Sequence, residues 1–248
     1  MPSRRALVMV VAMTTLAGVT RAGAQSPPPA RGVVFVVGGI GGICLVGPCA
    51  QWVLPRAGVQ HEIRDFVWTH GRGQLFRDLQ DFRYLLRKAD ELAEQIRKVK
   101  QEDPERPIYV IGKSGGAELV LAAAERLPPA TLERIILLSA AVSPRHDLRP
   151  ALRATKKELV SYYSVCDRLV LGWGTSQFGT ADRYYGASAG MDGFIVPDNL
   201  SPEDHALYAR LVQIPWKPRM ILEGHFGSHG GNSMPLWVKQ ELAPWLKP

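Results

Sequence analysis

From Ile108 onward the chain reads IYVIGKSGGAELVLAAAERLP: a β-branched run, a glycine-rich centre, then a segment rich in alanine and leucine. A buried strand that meets a helix with no linker between them leaves room only for a very sharp turn. The centre, Gly112-Lys113-Ser114-Gly115-Gly116, fits two incompatible chemistries. "GKS" is the tail of a phosphate-binding loop, whereas G-x-S-x-G is a turn that presents a nucleophilic serine.

The phosphate reading fails on spacing. Its first glycine belongs five positions before Gly112, where Pro107 stands, and Ile108 to Ile111 between them are strand and not a loose amide-bearing loop. The second glycine cluster, Gly38-Gly39-Ile40-Gly41-Gly42, fails as a dinucleotide fingerprint. Counting from Gly39, the third glycine is replaced by Cys44, and the following ICLVGPCAQW, with Gly47 and Pro48, offers no helix start.

The serine reading finds its partners in chain order. Gly112 and Gly116 keep the turn small around Ser114, and the helix start behind it leaves N–H groups free for negative charge. A serine needs a base and an orienting acid, in the order Ser, Asp or Glu, His for this architecture. LVSYYS is a strand, and the VCD after it puts Asp167 just past its end; Asp147, Asp182 and Asp192 are the rivals. Toward the C-terminus GHFGSHGGNSMPLW holds His225 and His229. His229, in a glycine-rich turn before the last helix, is the preferred base and His225 the alternative. His61, His70, His146 and His205 read as surface or turn residues. An oxyanion hole takes the N–H of Gly115 and one from the loop after an early strand, here VVFVVGGIGG, with Gly39 or Ile40 as donor.

Around these motifs strands alternate with helices. Strands are expected in VVFVV, HEIRDFVW, IYVI, RIILLS, LVSYYS and RMILEG, and helices over Leu75 to Glu102, AELVLAAAERL and MPLWVKQELAPWL. Leu85, Ala89, Leu92, Ile96 and Val99 supply the three-to-four spacing of an amphipathic helix. The pattern predicts an α/β fold, a doubly wound and mainly parallel sheet with helices on both faces. Residues 25–248 form one domain, within which 172–218 is long and poorly patterned, as a cover over a site would be. Trp68, Trp173, Tyr184 and Tyr185 are candidates to line a pocket.

With VVFVVGGIGG, VIGKSGG, YYSVCD and GHFGSHGG in place, the chain resembles the α/β-hydrolase superfamily of serine esterases and lipases. The resemblance implies Ser114 as nucleophile, Asp167 as acid and His229 (or His225) as base. It implies cleavage of a carboxylic ester or an amide through an acyl-enzyme, and no metal or organic cofactor. Departures from the usual pattern are Gly-Gly where many esterases carry His-Gly, and Lys113 before the serine. A non-catalytic binding protein on the same scaffold and an acyltransferase are the alternative functions.

The first residues have another purpose. Arg4 and Arg5, an apolar run from Ala6 to about Val19 and Ala22-Gly23-Ala24 form a signal peptide over 1–24, too short to serve as a membrane anchor. Export to the periplasm or beyond follows, by the secretory or the twin-arginine route. Removing the leader takes away Arg4, Arg5 and Arg21 and no acid, which lowers the net charge from +7 to +4. The remaining basic residues alternate with acids and lack interleaved aromatics, which speaks against a nucleic-acid partner and leaves a small or lipid-like ester as the expected one. Cys44, Cys49 and Cys166 allow a Cys44–Cys49 bridge, a bridge to Cys166, or three thiols.

Overall fold

A computed structural model describes residues 31–247; residues 1–24, where a signal peptide is expected, lie outside this range. Six strands form one all-parallel sheet in the order β2-β1-β3-β4-β5-β6. They are β1 (Val33–Val37), β2 (Glu62–Phe66), β3 (Ile108–Lys113), β4 (Arg134–Leu138), β5 (Leu159–Tyr163) and β6 (Leu211–Pro215). β1 lies between β2 and β3, with Val37 beside both Phe66 and Gly112. Because strand side chains alternate, each central strand feeds two cores. Phe35, Val110 and Leu137 pack on one face against α3 (Phe82–Glu102), α4 (Gly116–Glu125) and α5 (Arg149–Ala154). Val36, Ile111 and Leu138 pack on the other against α1 (Val46–Arg56) and the C-terminal helical turns that carry Trp237, Val238 and Leu242. A short α2 (Leu75–Gln80) precedes α3. The fold is thus the doubly wound, parallel α/β sandwich that the alternation predicts.

Two local expectations are corrected, and one open alternative is decided. PRMILE over Pro218–Glu223 is a helical turn, and the sixth strand is the preceding LVQIP. Pro218 lacks the N–H a ladder needs but is acceptable in a first helical turn. A helix does form at Val46–Arg56, with Val46, Ala50, Val53 and Leu54 turned to the core. Burial of that stripe outweighs the cost of Gly47, and Pro48 stands in the first turn, where its missing N–H is not needed. Cys44, Cys49 and Cys166 are all free thiols.

The segment after β5 is stitched onto the loop that follows β4. Ala181 and Gly190 N–H donate to the carbonyls of Ala141 and Ala140 (2.9 and 2.8 Å), and Ala189 N–H to that of Val142 (2.9 Å). Residues 172–193 therefore lie over the carboxyl edge of the sheet, where a doubly wound fold places its site. No helix among the described residues is long and apolar enough to cross a membrane.

Candidate active site

Ser114 stands at the tip between β3 and α4 with φ +54°, a left-handed conformation that a non-glycine residue rarely adopts. Its backbone is clamped there. Ser114 N–H donates to the Leu138 carbonyl (3.0 Å), and its own carbonyl accepts from Ala117 and Ala141 (3.0 and 3.1 Å). Small neighbours are obligatory: a Cβ on Gly112 would lie 2.9 Å from Ala117 Cα, and one on Gly116 2.7 Å from the Val37 carbonyl oxygen.

The loop after β1 lies directly against this turn. A Cβ on Gly39 would come 3.1 Å from Ser114 Cβ, and one on Gly115 would sit 2.9 Å from Ile40 Cγ2. Gly39, Ile40 and Gly115 thus surround the serine, and Gly115 N–H, at the foot of α4, has no intrahelical acceptor. Buried Asp78 holds the loop in shape: its Oδ2 accepts from Gly41 N–H (2.7 Å), and its Oδ1 faces the N–H and Nδ1 of His70 (2.8 Å each). Trp68 Nε1–H donates to the Gly38 carbonyl (2.7 Å) from a buried ring, so Trp68 supports the loop and does not line a cavity. His61 and His70 are likewise buried side chains and not surface ones, His61 stacked on Tyr109 and His70 on Tyr84.

Asp167 is buried in the turn after β5, and its Oδ2 accepts from His229 Nδ1 at 2.7 Å. Ser114 and His229 border the same cavity, of about 420 Å³, with Gly39 and Ile40. No hydrogen bond joins Ser114 Oγ to His229 among the described residues. His225 lines neither this cavity nor its neighbour. It accepts Gly227 N–H at Nδ1 (3.0 Å), turns Nε2 to Asn232 Nδ2 (3.3 Å) and is covered by Gly231, so its ring packs the loop from within. The rival acids are placed elsewhere. Asp147 pairs with Arg149, Asp182 with His146, and Asp192 ends a short helix at Ala189–Asp192.

Lys113, Asn232 and Ser139 are not singled out by the sequence as site residues, yet they underlie the histidine loop. Lys113 Nζ, fully buried, donates to the His229 carbonyl (2.7 Å) and to Asn232 Oδ1 (3.1 Å), which also accepts from Ser139 Oγ (2.6 Å). Burial brings Lys113 down to about 8. Burial, and then the nearby Lys113 ammonium, holds His229 below the ordinary histidine value against the opposing pull of Asp167. Burial with the same ammonium takes His225 to about 4. Both rings are thus neutral at neutral pH.

Lys113 makes a prediction about stability. Its folded value lies below the unfolded 10.5, so the unfolded chain binds the extra proton between pH 8 and 10.5, and stability rises with pH through that window. The full penalty, roughly 3 kcal/mol, is present below pH 8. Urea unfolding of wild type and Lys113→Met at pH 7.5 and pH 10 should show wild type gaining on the variant by about 2 kcal/mol or more. A pH-independent difference would show that Lys113 is not held as a buried ammonium.

A second cavity, of about 280 Å³, adjoins the first through Ile40, Leu75, Ser114 and Val170. Leu79, Ala141, Leu171 and Phe178 complete its apolar wall. Trp173, Tyr184 and Tyr185 lie outside both cavities, with Trp173 packed edge-on against Phe178. One cluster of metal-ligating side chains lies apart from the serine among the described residues: Glu118, His146 and Asp182.

Comparison to known proteins gives the family. The family model described as serine aminopeptidase, S33, a hydrolase family, matches residues 29–177, more than half of the chain; the span includes Gly39, Ser114 and Asp167 and ends before His229. No curated protein matches the chain. Among solved structures, it is similar to TT1662 from Thermus thermophilus (14% identity, 90% of this chain and 92% of that one, TM-score 0.47). A cutinase from Trichoderma reesei in complex with a phosphonate inhibitor also matches (14% identity, 90% and 80%, TM-score 0.43). So does the catalytic core of an acetyl xylan esterase from the same organism (10% identity, 88% and 98%, TM-score 0.43). By the family match and the parallel sheet with its serine turn, the chain belongs to the serine aminopeptidase S33 family of hydrolases, within the α/β-hydrolase superfamily.

Proposed function

We propose that this protein is an exported serine hydrolase that cleaves carboxylic esters with an apolar acyl chain. One juxtaposition carries the reading: a histidine bonded to a buried aspartate borders the same cavity as a serine held at φ +54°. Ser114 Oγ attacks the carbonyl carbon and His229 takes its proton. Asp167 holds the imidazole in the tautomer with hydrogen on Nδ1, which leaves Nε2 to act as the base. The carbonyl oxygen gathers charge against Gly115 N–H and the Gly39–Ile40 loop. The alcohol leaves with the proton from His229, and water, activated by the same histidine, releases the acid.

The wall chemistry supports an ester over a peptide with a free amino terminus. A protonated amine requires an acceptor anion, and no carboxylate lines either cavity among the described residues. Leucine, valine, isoleucine and phenylalanine suit an aliphatic acyl chain instead. Each methylene buried there is worth up to about 0.8 kcal/mol, or roughly fourfold in kcat/KM, until the cavity is filled.

The test is a series of p-nitrophenyl esters from acetate to decanoate beside aminoacyl p-nitroanilides, with an alkyl fluorophosphonate as label. The expected result is kcat/KM climbing with chain length, negligible turnover of the anilides, and the phosphonyl group on the peptide that contains Ser114. Labelling confined to another residue, or activity led by the anilides, would reverse the proposal.

A further inference from the structure

The geometry points to a site for one divalent transition-metal ion, zinc by its donor set, held by Glu118, His146 and Asp182. His146 Nδ1 lies 3.3 Å from Asp182 Oδ2 and 3.6 Å from Glu118 Oε2, and all three ligand atoms lie within 4.8 Å of one another. Zinc–nitrogen and zinc–oxygen bonds of 2.0–2.2 Å meeting at tetrahedral angles separate neighbouring ligand atoms by about 3.4 Å. His146 Nδ1 is within hydrogen-bond reach of Asp182 Oδ2 and beyond it for Glu118 Oε2, so it stands between two carboxylates near the spacing expected around a shared ion.

The independent observation is an orphaned atom. Glu118 is 4% exposed, and its Oε2 has no hydrogen-bond partner. A cation between the three groups supplies the missing partner. The outer contacts of a metal site are also present. Asp182 accepts from Ser143 N–H at both oxygens (3.1 and 2.9 Å) and from Thr180 Oγ1 at Oδ1, which fixes the carboxylate from behind. One nitrogen and two carboxylate oxygens suit zinc better than a softer thiolate-seeking ion. The partly exposed edges of His146 and Asp182 leave a fourth position to water.

None of the three residues lines either cavity at Ser114, so the role is structural. Glu118 is in the first turn of α4, four residues past Ser114, His146 follows β4, and Asp182 belongs to the segment laid over the sheet edge. The ion would pin that segment, four residues from the cavity wall at Phe178, to the helix behind the serine turn.

The test is zinc binding to tag-free, chelator-treated full chain, by calorimetry and by metal analysis after dialysis. Cys44→Ser/Cys49→Ser protein serves as the control for thiol sites. The expected result is one zinc per chain in wild type and in the cysteine variant, lost in Glu118→Gln and in Asp182→Asn. At zinc about a hundred times its Kd, the wild-type Tm should rise by about 5 °C and the Tm of those two variants should not. Equal zinc content in wild type and Glu118→Gln, or a wild-type Tm indifferent to zinc, would overturn the site. A Glu118→Gln Tm at or above the metal-free wild type, with no zinc effect in either, would assign the cluster to a shared proton. If one variant fails to fold, the other and the wild-type stoichiometry still decide.

Discussion

Ser114→Ala is expected to lower kcat/KM for the best ester by about 10⁴- to 10⁶-fold, with the fold and Tm retained. The loss is this large because the oxygen that makes and breaks the acyl bond is gone, and only the oxyanion donors and the binding walls remain. A companion substitution separates chemistry from structure. At φ +54° the serine sits where L residues are strained and glycine is not. Ser114→Gly should therefore be equally inactive yet more stable, by about 1 kcal/mol after the greater entropy of unfolded glycine is subtracted. That corresponds to a Tm rise of roughly 2–4 °C. An active Ser114→Ala protein would remove the nucleophile from the mechanism. A Ser114→Gly protein less stable than Ser114→Ala would remove the strain.

The second large effect separates the two histidines of the C-terminal loop. His229→Ala and Asp167→Asn should each reduce kcat by about 10³- to 10⁴-fold, the former by deleting the base and the latter by releasing its tautomer. In wild type kcat/KM should fall with acidity only below the ordinary histidine value, since burial and Lys113 hold His229 down. His225→Gln should instead lose Tm and keep most of its reaction with fluorophosphonate. Its ring fills the space under Gly231 and accepts Gly227 N–H, but lines neither cavity. Kinetics and thermal unfolding of the three variants settle the assignment. Inactivation by His225→Gln at unchanged Tm, with His229→Ala still active, would exchange the two roles.

The serine turn was legible because its requirements are local. A strand, a helix and glycines at 112 and 116 let the chain turn this sharply at Ser114, so they lie within a few residues of it. The approach of the loop after β1 was legible for a similar reason, since only glycine at 39 fits where an added Cβ would lie 3.1 Å from Ser114 Cβ. The end of the chain was less so. RMILE looks like a strand because its apolar residues are consecutive, but Pro218 and the cap at Gly224 favour a helical turn, and the ladder is taken by LVQIP beside β5. The helix at Val46 was hidden because Gly47 and Pro48 are poor local helix signals, outweighed by the burial of four side chains against the sheet.

By itself the sequence determined the layering, the strand–turn–helix around Ser114 and the chain order of Ser114, Asp167 and the two histidines, because hydrophobic period and glycine placement act over short range. Only the tertiary structure decided which histidine meets Asp167, since that depends on a loop more than 110 residues from Lys113, its buried anchor. It also turned the lysine inside GKSGG from an oddity into a support, and brought Glu118, His146 and Asp182 from three separate elements to within 4.8 Å. Such contacts join residues remote in the chain. Their energy comes from burial and pairing of charge, and neither exists until the sheet has closed around them.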